Sequence, residues 1–427
     1  MLVIVSDLHF TDGTTSNWKD GEDLFNVRPK AFELFVTKIS DILSRREKSP
    51  RKVTFLYNGD IFDLLRTTAW FDVKDRPWSV PLDKKKVYAR CHTILEEILR
   101  KNEESISWLS GDHPHFQEAW RVDAEIERIY VPGNHDRIIN LYEPCRKQVY
   151  RKLLGKRERR RFANFYMDQD FHQTLVMHGH ESDPFNCEYD KMGNPDYNAV
   201  PIGDPLTTEL FARIAYEAGK LPIPEEAKAR FKDIDNVRPT LATVRYVQDI
   251  INDFSIGDKV KDVLGKVVGD FEDLEFYRQW KRRHDRFNLG FDEADKLEWA
   301  LRAVRLLGPS VPAGLLEKLA ALVRDDSCEK LAKRRVEDVR GGNLRYCVMG
   351  HTHEPLHVPL CVDERLNMER HYLNCGTFRT TFSQTYDKQE FLRFQRMSFV
   401  IVYGPGEYRP DEERPLYEMW SGLRMHH

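Results

Sequence analysis

The chain reads as an α/β fold with an inserted helical part. Short apolar runs rich in β-branched or aromatic residues, amphipathic helices between them, and a long helical excursion before the last run all point that way. The runs are LVIV at 2–5, VTFLY at 53–57, RIYV at 128–131, TLVM at 174–177 and RYCVM at 345–349, each the length of a buried strand. Between the first two, a helix is expected to open near Pro29, whose fixed φ and missing N–H suit a first turn. Phe32, Phe35, Val36, Ile39 and Leu43 then share one face. A second helix is expected over 84–101, with Val87, Cys91, Ile94, Leu95, Ile98 and Leu99 on its apolar side.

Toward the end, HYLN at 371–374 and MSFVIVY at 397–403 are expected to complete a second sheet, and the tail after Gly404 reads as surface loop. Between His180 and Gly350 the chain turns helical after a Pro/Gly-rich stretch at 193–205. The segment 240–251 places Leu241, Val244, Val247, Ile250 and Ile251 on one face; 294–307 and 312–323 behave similarly, with Pro312 at a helix start. The run before GHTH must pair beside the earlier strands. The excursion is therefore expected to be an insertion over 204–340, dividing a core into 1–203 and 341–427. It is either a lid over the site or a buttress remote from it, and its apolar faces suit an acyl chain or one another.

Composition narrows the class. The 427 residues, 41% hydrophobic and 32% charged, suit a soluble chain with a large core. A net charge of −3 gives no global pull toward nucleic acid or anionic membrane. The one strongly basic run, KRERRR at 156–161, reads as a solvated helix face beside a loop or as a polyanion contact. Seven cysteines without a C-x-x-C pair suggest neither a disulfide framework nor a zinc knuckle, so a cytoplasmic setting is expected. The first apolar run, 2–5, is too short for a cleaved signal, and no segment is long enough to cross a bilayer, leaving only peripheral membrane contact.

Chemistry concentrates just past the predicted strands: Asp7 and His9 in SDLH, Asp60 and Asp63 in GDIFD, Asn134 and His135 in GNHD, His178 in HGH, His351 and His353 in GHTH. Open α/β sheets bind ligands at the carboxyl ends of their strands. Oxygen and imidazole donors without thiolate suit two metal ions and hydrolysis of a phosphate ester. Each motif alone is a weak signal; five in order, all at strand ends, are specific.

In order and type, these blocks resemble the signature motifs of the calcineurin-like metallophosphoesterases, over 1–180 and 344–380. The resemblance implies a four-layer sandwich of two mixed sheets flanked by helices. It also implies two divalent ions, one held by Asp7, His9 and His353 and the other by Asn134, His178 and His351, with Asp60 bridging. Manganese is the metal expected; iron, zinc and nickel suit the same donors. The implied reaction is attack of metal-bridging hydroxide on a phosphodiester or pyrophosphate. His135 would stabilise or protonate the departing oxygen, and Asp63 would orient His135.

SDLH, GDIFD and GHTH are also similar to the UDP-2,3-diacylglucosamine hydrolases, but that branch tends to carry Arg where this chain has His135, and its insertion is far smaller. A small-molecule or nucleotide-conjugate substrate is expected; a nuclease of the same chemistry and a non-catalytic module on the same fold are the alternatives. His180 either contacts substrate or finishes its loop. Arg66 and Arg379 either reach a phosphate or pair with an acid. Trp70, Phe71 and Trp78, among Pro77 and Pro81, line an entrance or cover a hydrophobic cluster. His113 and His115 read as loop.

Overall fold

The computed structural model describes residues 1–15, 18–19, 22–23, 26–46, 50–238, 242–285, 293–305, 327–338, 342–385, 387 and 390–425. Strands β1 (Leu2–Val5), β2 (Trp18–Lys19), β3 (Glu22–Asp23), β4 (Lys52–Asn58), β5 (Glu125–Val131), β6 (Phe165–Asp168) and β7 (Thr174–Met177) come first. After them come β8 (Val237–Arg238), β9 (Tyr346–Met349), β10 (Pro355–Asp363), β11 (Met368–Cys375), β12 (Thr380–Gln384), β13 (Phe391–Tyr403) and β14 (Leu416–Met425).

One sheet runs β5-β4-β1-β13-β12-β8 with β14 along β13, the other β10-β11-β9-β7-β6, and β2 and β3 form a separate short ladder. Both main sheets are mixed: β1, β4 and β5 are parallel, as are β7, β9 and β11, whereas β13 lies antiparallel to β1 and β10 to β11.

The pleat sends alternate residues to opposite faces. From the first sheet, Leu2, Ile4, Leu56, Val131, Val400 and Val402 meet Val176, Val348 and Leu373 of the second in a single cluster. The outward residues Val3, Val5, Phe55 and Tyr57 pack instead on the helices Pro29–Ser44 and Lys84–Lys101, through Phe32, Phe35, Ile39, Ile94 and Ile98. Pro29 does begin the first of these helices, and the Asp83 side chain caps the second by accepting from the Lys86 amide at 3.2 Å. On the far side, Leu175, Met177, Cys347 and Met349 bury against Leu331, Ala332 and Val336 of the helix Ser327–Asp338. The layers are thus helices, sheet, sheet, helix.

Three expectations are corrected. MSFVIVY joins the first sheet beside β1, and only the HYLN segment, within β11, belongs to the second. The tail after Gly404 is not all loop, because β14 pairs with β13 from Leu416 to Met425. The basic run 156–161 is irregular chain beyond the helix Glu143–Lys152, with Arg159 and Arg160 facing Glu143 and Glu158 at 3.6 and 2.7 Å.

The excursion has its own core, built from Leu210, Phe231, Ile250, Leu264, Phe271, Trp280 and Leu301 among others. The helices Thr243–Asp253 and Glu293–Arg305 lie in it; residues 240–241, 306–307 and the predicted helix 312–323 lie outside the described residues. It joins the first sheet through β8, which pairs in parallel with β12, and through Phe382. The helix Ser327–Asp338, inside the expected insertion range, packs on the second sheet instead. Among the described residues no helix is long and apolar enough to cross a membrane.

Candidate metal centre

Every predicted ligand sits in a loop at the carboxyl end of a parallel strand: Asp7 and His9 after β1, Asp60 after β4, Asn134 after β5, His178 after β7, His351 and His353 after β9. Backbone hydrogen bonds hold the loops in fixed relation. The Asp7 and His9 amides donate to the Gly59 and Asp60 carbonyls at 3.1 and 2.8 Å, and the Gly350 amide to the His178 carbonyl at 2.9 Å. Asn58 Nδ2 donates across the sheets to the Met177 carbonyl at 2.9 Å.

This tight convergence strains the backbone. Asp7, His9, Asp60, His351 and His353 all have positive φ, between 46° and 70°, a region L-residues rarely adopt and that concentrates at functional sites. Gly59, at φ 76°, has no room for a Cβ, which would overlap the His178 ring and the Gly133 backbone.

Three groups of donor atoms result, one of them formed by His9, Asp60 and His135. Those of Asp7, His9 and His353 lie within 4.8 Å of one another, as do those of Asp60, His178 and His351. In the first, His353 Nε2 is 3.0 Å from His9 Nε2 and 3.3 Å from Asp7 Oδ1. In the second, His178 Nε2 is 3.2 Å from Asp60 Oδ2, which is also 3.6 Å from His9 Nε2. Asp60 therefore stands between the groups. Asn134 Oδ1, His178 Nε2 and Asp7 Oδ1 are buried and make no hydrogen bond, leaving them open to a cation. Buried His and Asp groups this close, all hard or borderline donors, can hold a metal ion.

Electrostatics there pair acids with imidazoles. Burial opposes ionisation of Asp7, Asp60 and Asp63, yet the neighbouring imidazoles hold all three carboxyls well below their usual range. Burial also disfavours a charged His178, but Asp60 and Asp7 raise it to about 10. His135, likewise desolvated, is raised to about 9 by Asp63 and Asp60. His353 moves the other way, to about 3, because it is buried and the Arg238 guanidinium lies against it.

Asp63 is more connected than expected. Its Oδ1 accepts from the Leu65 and Arg66 amides at 3.2 and 3.1 Å and lies 3.0 Å from His135 Nδ1, while Oδ2 is 3.1 Å from His9 Nδ1. One carboxylate thus faces both rings. His178 Nδ1 donates to the Asn58 carbonyl at 3.0 Å, so a cation that displaces the Nε2 proton would meet the Nε2 lone pair.

Three contributors escaped the sequence reading. Asp183 Oδ2 lies 3.1 Å from His351 Nε2, and it follows HGH closely as HESD. Asp136, the last residue of GNHD, accepts from the Ile61 and Gly133 amides at 2.9 and 2.6 Å and so ties two motif loops together. Arg238 puts Nη2 2.7 Å from His353 Nδ1; no local motif marks it, because β8 brings it in from the excursion.

Of the remaining candidates, Arg66 pairs with Asp235 and Asp63, and Arg379 donates to Asn236 Oδ1 at 2.5 Å. Both hold the chain segment that carries Arg238. His180 is buried, its ring 5.4 Å from that of His178, and burial lowers it to about 4. Trp70, Phe71 and Trp78 are buried: Trp78 donates to Glu209 at 3.1 Å, and Arg213 covers Phe71 at 3.8 Å. His113 stacks on Trp108 at 4.0 Å and His115 pairs with Glu118 at 3.1 Å, both local contacts.

In comparisons with known proteins, no family model and no curated protein matches this chain.

Proposed function

We propose that the chain is a metal-dependent phosphoesterase with the calcineurin-like sandwich, hydrolysing a phosphodiester or pyrophosphate bond. The observation that carries this reading is the pair of His/Asp groups with Asp60 between them and His135 at their side, held by Asp63. Two divalent cations, manganese foremost, would supply Lewis acidity and an activated water when bound.

Asp7, His9 and His353 would hold one ion, Asn134, His178 and His351 the other, and the Asp60 carboxylate both. The neutral tautomers this needs are prepared by the Asp63 carboxylate behind His9 and the Asn58 carbonyl behind His178. In the reaction, a P–O bond to water forms as the bond to the leaving oxygen breaks. His135 gives its proton to that oxygen, and Asp63 holds the ring in place and stabilises its charge. The positive φ values at five site residues fit this reading, since strain there keeps the ligands preorganised.

None of the seven cysteines forms a disulfide, which fits a reducing compartment such as the cytoplasm. A nuclease of the same chemistry stays the alternative; Arg159 and Arg160 of the basic run lie near Glu143 and Glu158.

The test is hydrolysis of a chromogenic phosphodiester by the manganese-loaded chain. Asp60→Ala should abolish it and His135→Ala should lower it by about 10²–10⁴-fold. Activity surviving both changes would overturn the proposal.

A further inference from the structure

The loop after HGH carries two side chains to which the reaction above gives no part, Asp183 and Asn186. Backbone bonds fold this loop into a compact turn. The Asp183 amide donates to the His180 carbonyl at 3.0 Å, and the Asn186 and Cys187 amides donate to the Asp183 carbonyl at 3.0 and 2.9 Å. The Phe185 amide donates to Asp183 Oδ1 at 2.9 Å, which fixes the carboxylate within its own turn. The start of the helical excursion packs on the same turn: the Gly203 amide donates to the Phe185 carbonyl at 2.7 Å, and a Cβ at Gly203 would overlap Asn186 Oδ1.

From this anchor a hydrogen-bond chain runs to two of the candidate ligands. Asn186 Nδ2 donates to Asp183 Oδ2 at 2.6 Å, and Asn134 Nδ2 donates to Asn186 Oδ1 at 3.1 Å. The carboxylate sets the sense of both amides. An ionised Asp183 only accepts, so Asn186 must turn its NH₂ to it and its oxygen away. Asn134 must then offer its own NH₂ to that oxygen, which leaves Asn134 Oδ1 as the free end; that atom is buried and makes no hydrogen bond. The other branch ends at His351, whose Nε2 is 3.1 Å from the same Asp183 Oδ2. A proton on Nε2, donated to the carboxylate, places the lone pair of the neutral ring on Nδ1. His9 and His178 follow the same pattern, each with one ring nitrogen against an oxygen, Asp63 Oδ2 and the Asn58 carbonyl.

We propose that Asp183 and Asn186 are positioning residues for the ion assigned to Asn134, His178 and His351. Asn186 holds the Asn134 amide with its oxygen free for that ion, and Asp183 holds His351 in the tautomer that ligates through Nδ1. The proposal rests on the phosphoesterase reading in taking Asn134 and His351 as ligands. A carboxylate behind a metal-binding imidazole fixes the ring and raises its basicity, so the pair strengthens binding without touching the ion. Asp63 stands behind His9 of the one ion and Asp183 behind His351 of the other, so loss of either acid should weaken a different ion.

Calorimetric titration of the full, metal-free chain with Mn²⁺ tests this without turnover. Asp183→Asn keeps its carbonyl oxygen at the Phe185 amide and sets an NH₂ against Asn186 Nδ2 and His351 Nε2, breaking both branches. It should weaken one ion by about 10–100-fold and leave the other within about twofold. Adding Asn186→Asp gives that NH₂ an acceptor that also accepts from Asn134, and the double variant should recover about 2–10-fold through the Asn134 branch alone. Asn186→Leu leaves Asp183 and His351 in place and should weaken the same ion by about tenfold. Thermal unfolding reports whether each variant folds. Long-range ¹H–¹⁵N NMR of the metal-free chain, with the ring neutral, should find the His351 proton on Nε2 in the wild type and on Nδ1 in Asp183→Asn, a change that a merely structural acid would not cause. Mn²⁺ affinities within about twofold of wild type in both Asp183→Asn and Asn186→Leu, an unmoved His351 proton, or a manganese-loaded crystal structure with Asp183 Oδ2 bonded to the ion would overturn the proposal. If Asn134→Ala instead binds both ions as tightly as the wild type, the ligand set itself is wrong and the phosphoesterase reading falls with it.

Discussion

Replacing Asp63 by Asn tests the centre most sharply, because the substitution keeps the shape and changes one atom's sense. The carboxylate Oδ1 accepts from two backbone amides and faces His135 Nδ1. An asparagine in Asp63→Asn must keep its carbonyl oxygen there, since an NH₂ would face donors. Its NH₂ then falls at the Oδ2 position, 3.1 Å from His9 Nδ1 and 3.4 Å from Arg66 Nε. To accept from that NH₂, His9 must place its proton on Nε2, the nitrogen that faces Asp7 and His353. A protonated Nε2 is no ligand. Loss of a charge-assisted bond of about 1.5–3 kcal/mol corresponds to roughly 10–100-fold in affinity. That agrees with the ~10–100-fold cost of removing groups behind metal-binding histidines. Calorimetry with Mn²⁺ should show this loss at the site containing His9, and hydrolysis should fall further, since His135 also loses its anionic partner. Affinity for both ions and turnover within about twofold of wild type would refute the tautomer argument.

Gly59→Ala should cost at least ~2 kcal/mol in urea unfolding, because φ is 76° and the new methyl meets the His178 ring. Gly155→Ala, at φ 66° in open space, should cost only about 1 kcal/mol; equal costs would show that crowding at the centre is not the cause. In the metal-free chain, His178 and His135 bind protons more tightly folded than unfolded, with values of about 10 and 9 against 6.5. Their stabilisation is complete below pH 6.5 and is lost as pH rises through 9 to 10, so the metal-free unfolding temperature should drop across that window. A flat profile would contradict it. Arg238→Ala should raise the His353 value from about 3, visible by NMR titration of metal-free protein; an unchanged value would mean that burial alone depresses it.

The parts of the fold legible in the sequence were those where one local rule decided the outcome. LVIV and TLVM are buried on both faces, so continuous apolar runs marked β1 and β7 to the residue. β10 was missed because its burial alternates irregularly, with Pro355 and Pro359 in the run and a register shift between Pro359 and Cys361. β14 was missed because it lies behind a Pro- and charge-rich stretch and is identified as a strand only by its partner β13. Sheet membership failed for the same reason: nothing local in MSFVIVY says that it will pair with β1 nearly 400 positions away.

The site followed a similar rule. Asp and His in left-handed backbone just past strands leave compact motifs, so Asp7, His9, Asp60, His351 and His353 could be named from sequence. Arg238 leaves no motif, because what makes it part of the site is the path of the excursion, which delivers it to His353. The remote buttress that remained open from sequence is hard to reconcile with these contacts. Arg66 and Arg379 further clamp the segment carrying Arg238, through Asp235 and Asn236. A shift of the excursion would therefore move the guanidinium that lies against His353, coupling its position to the candidate metal centre.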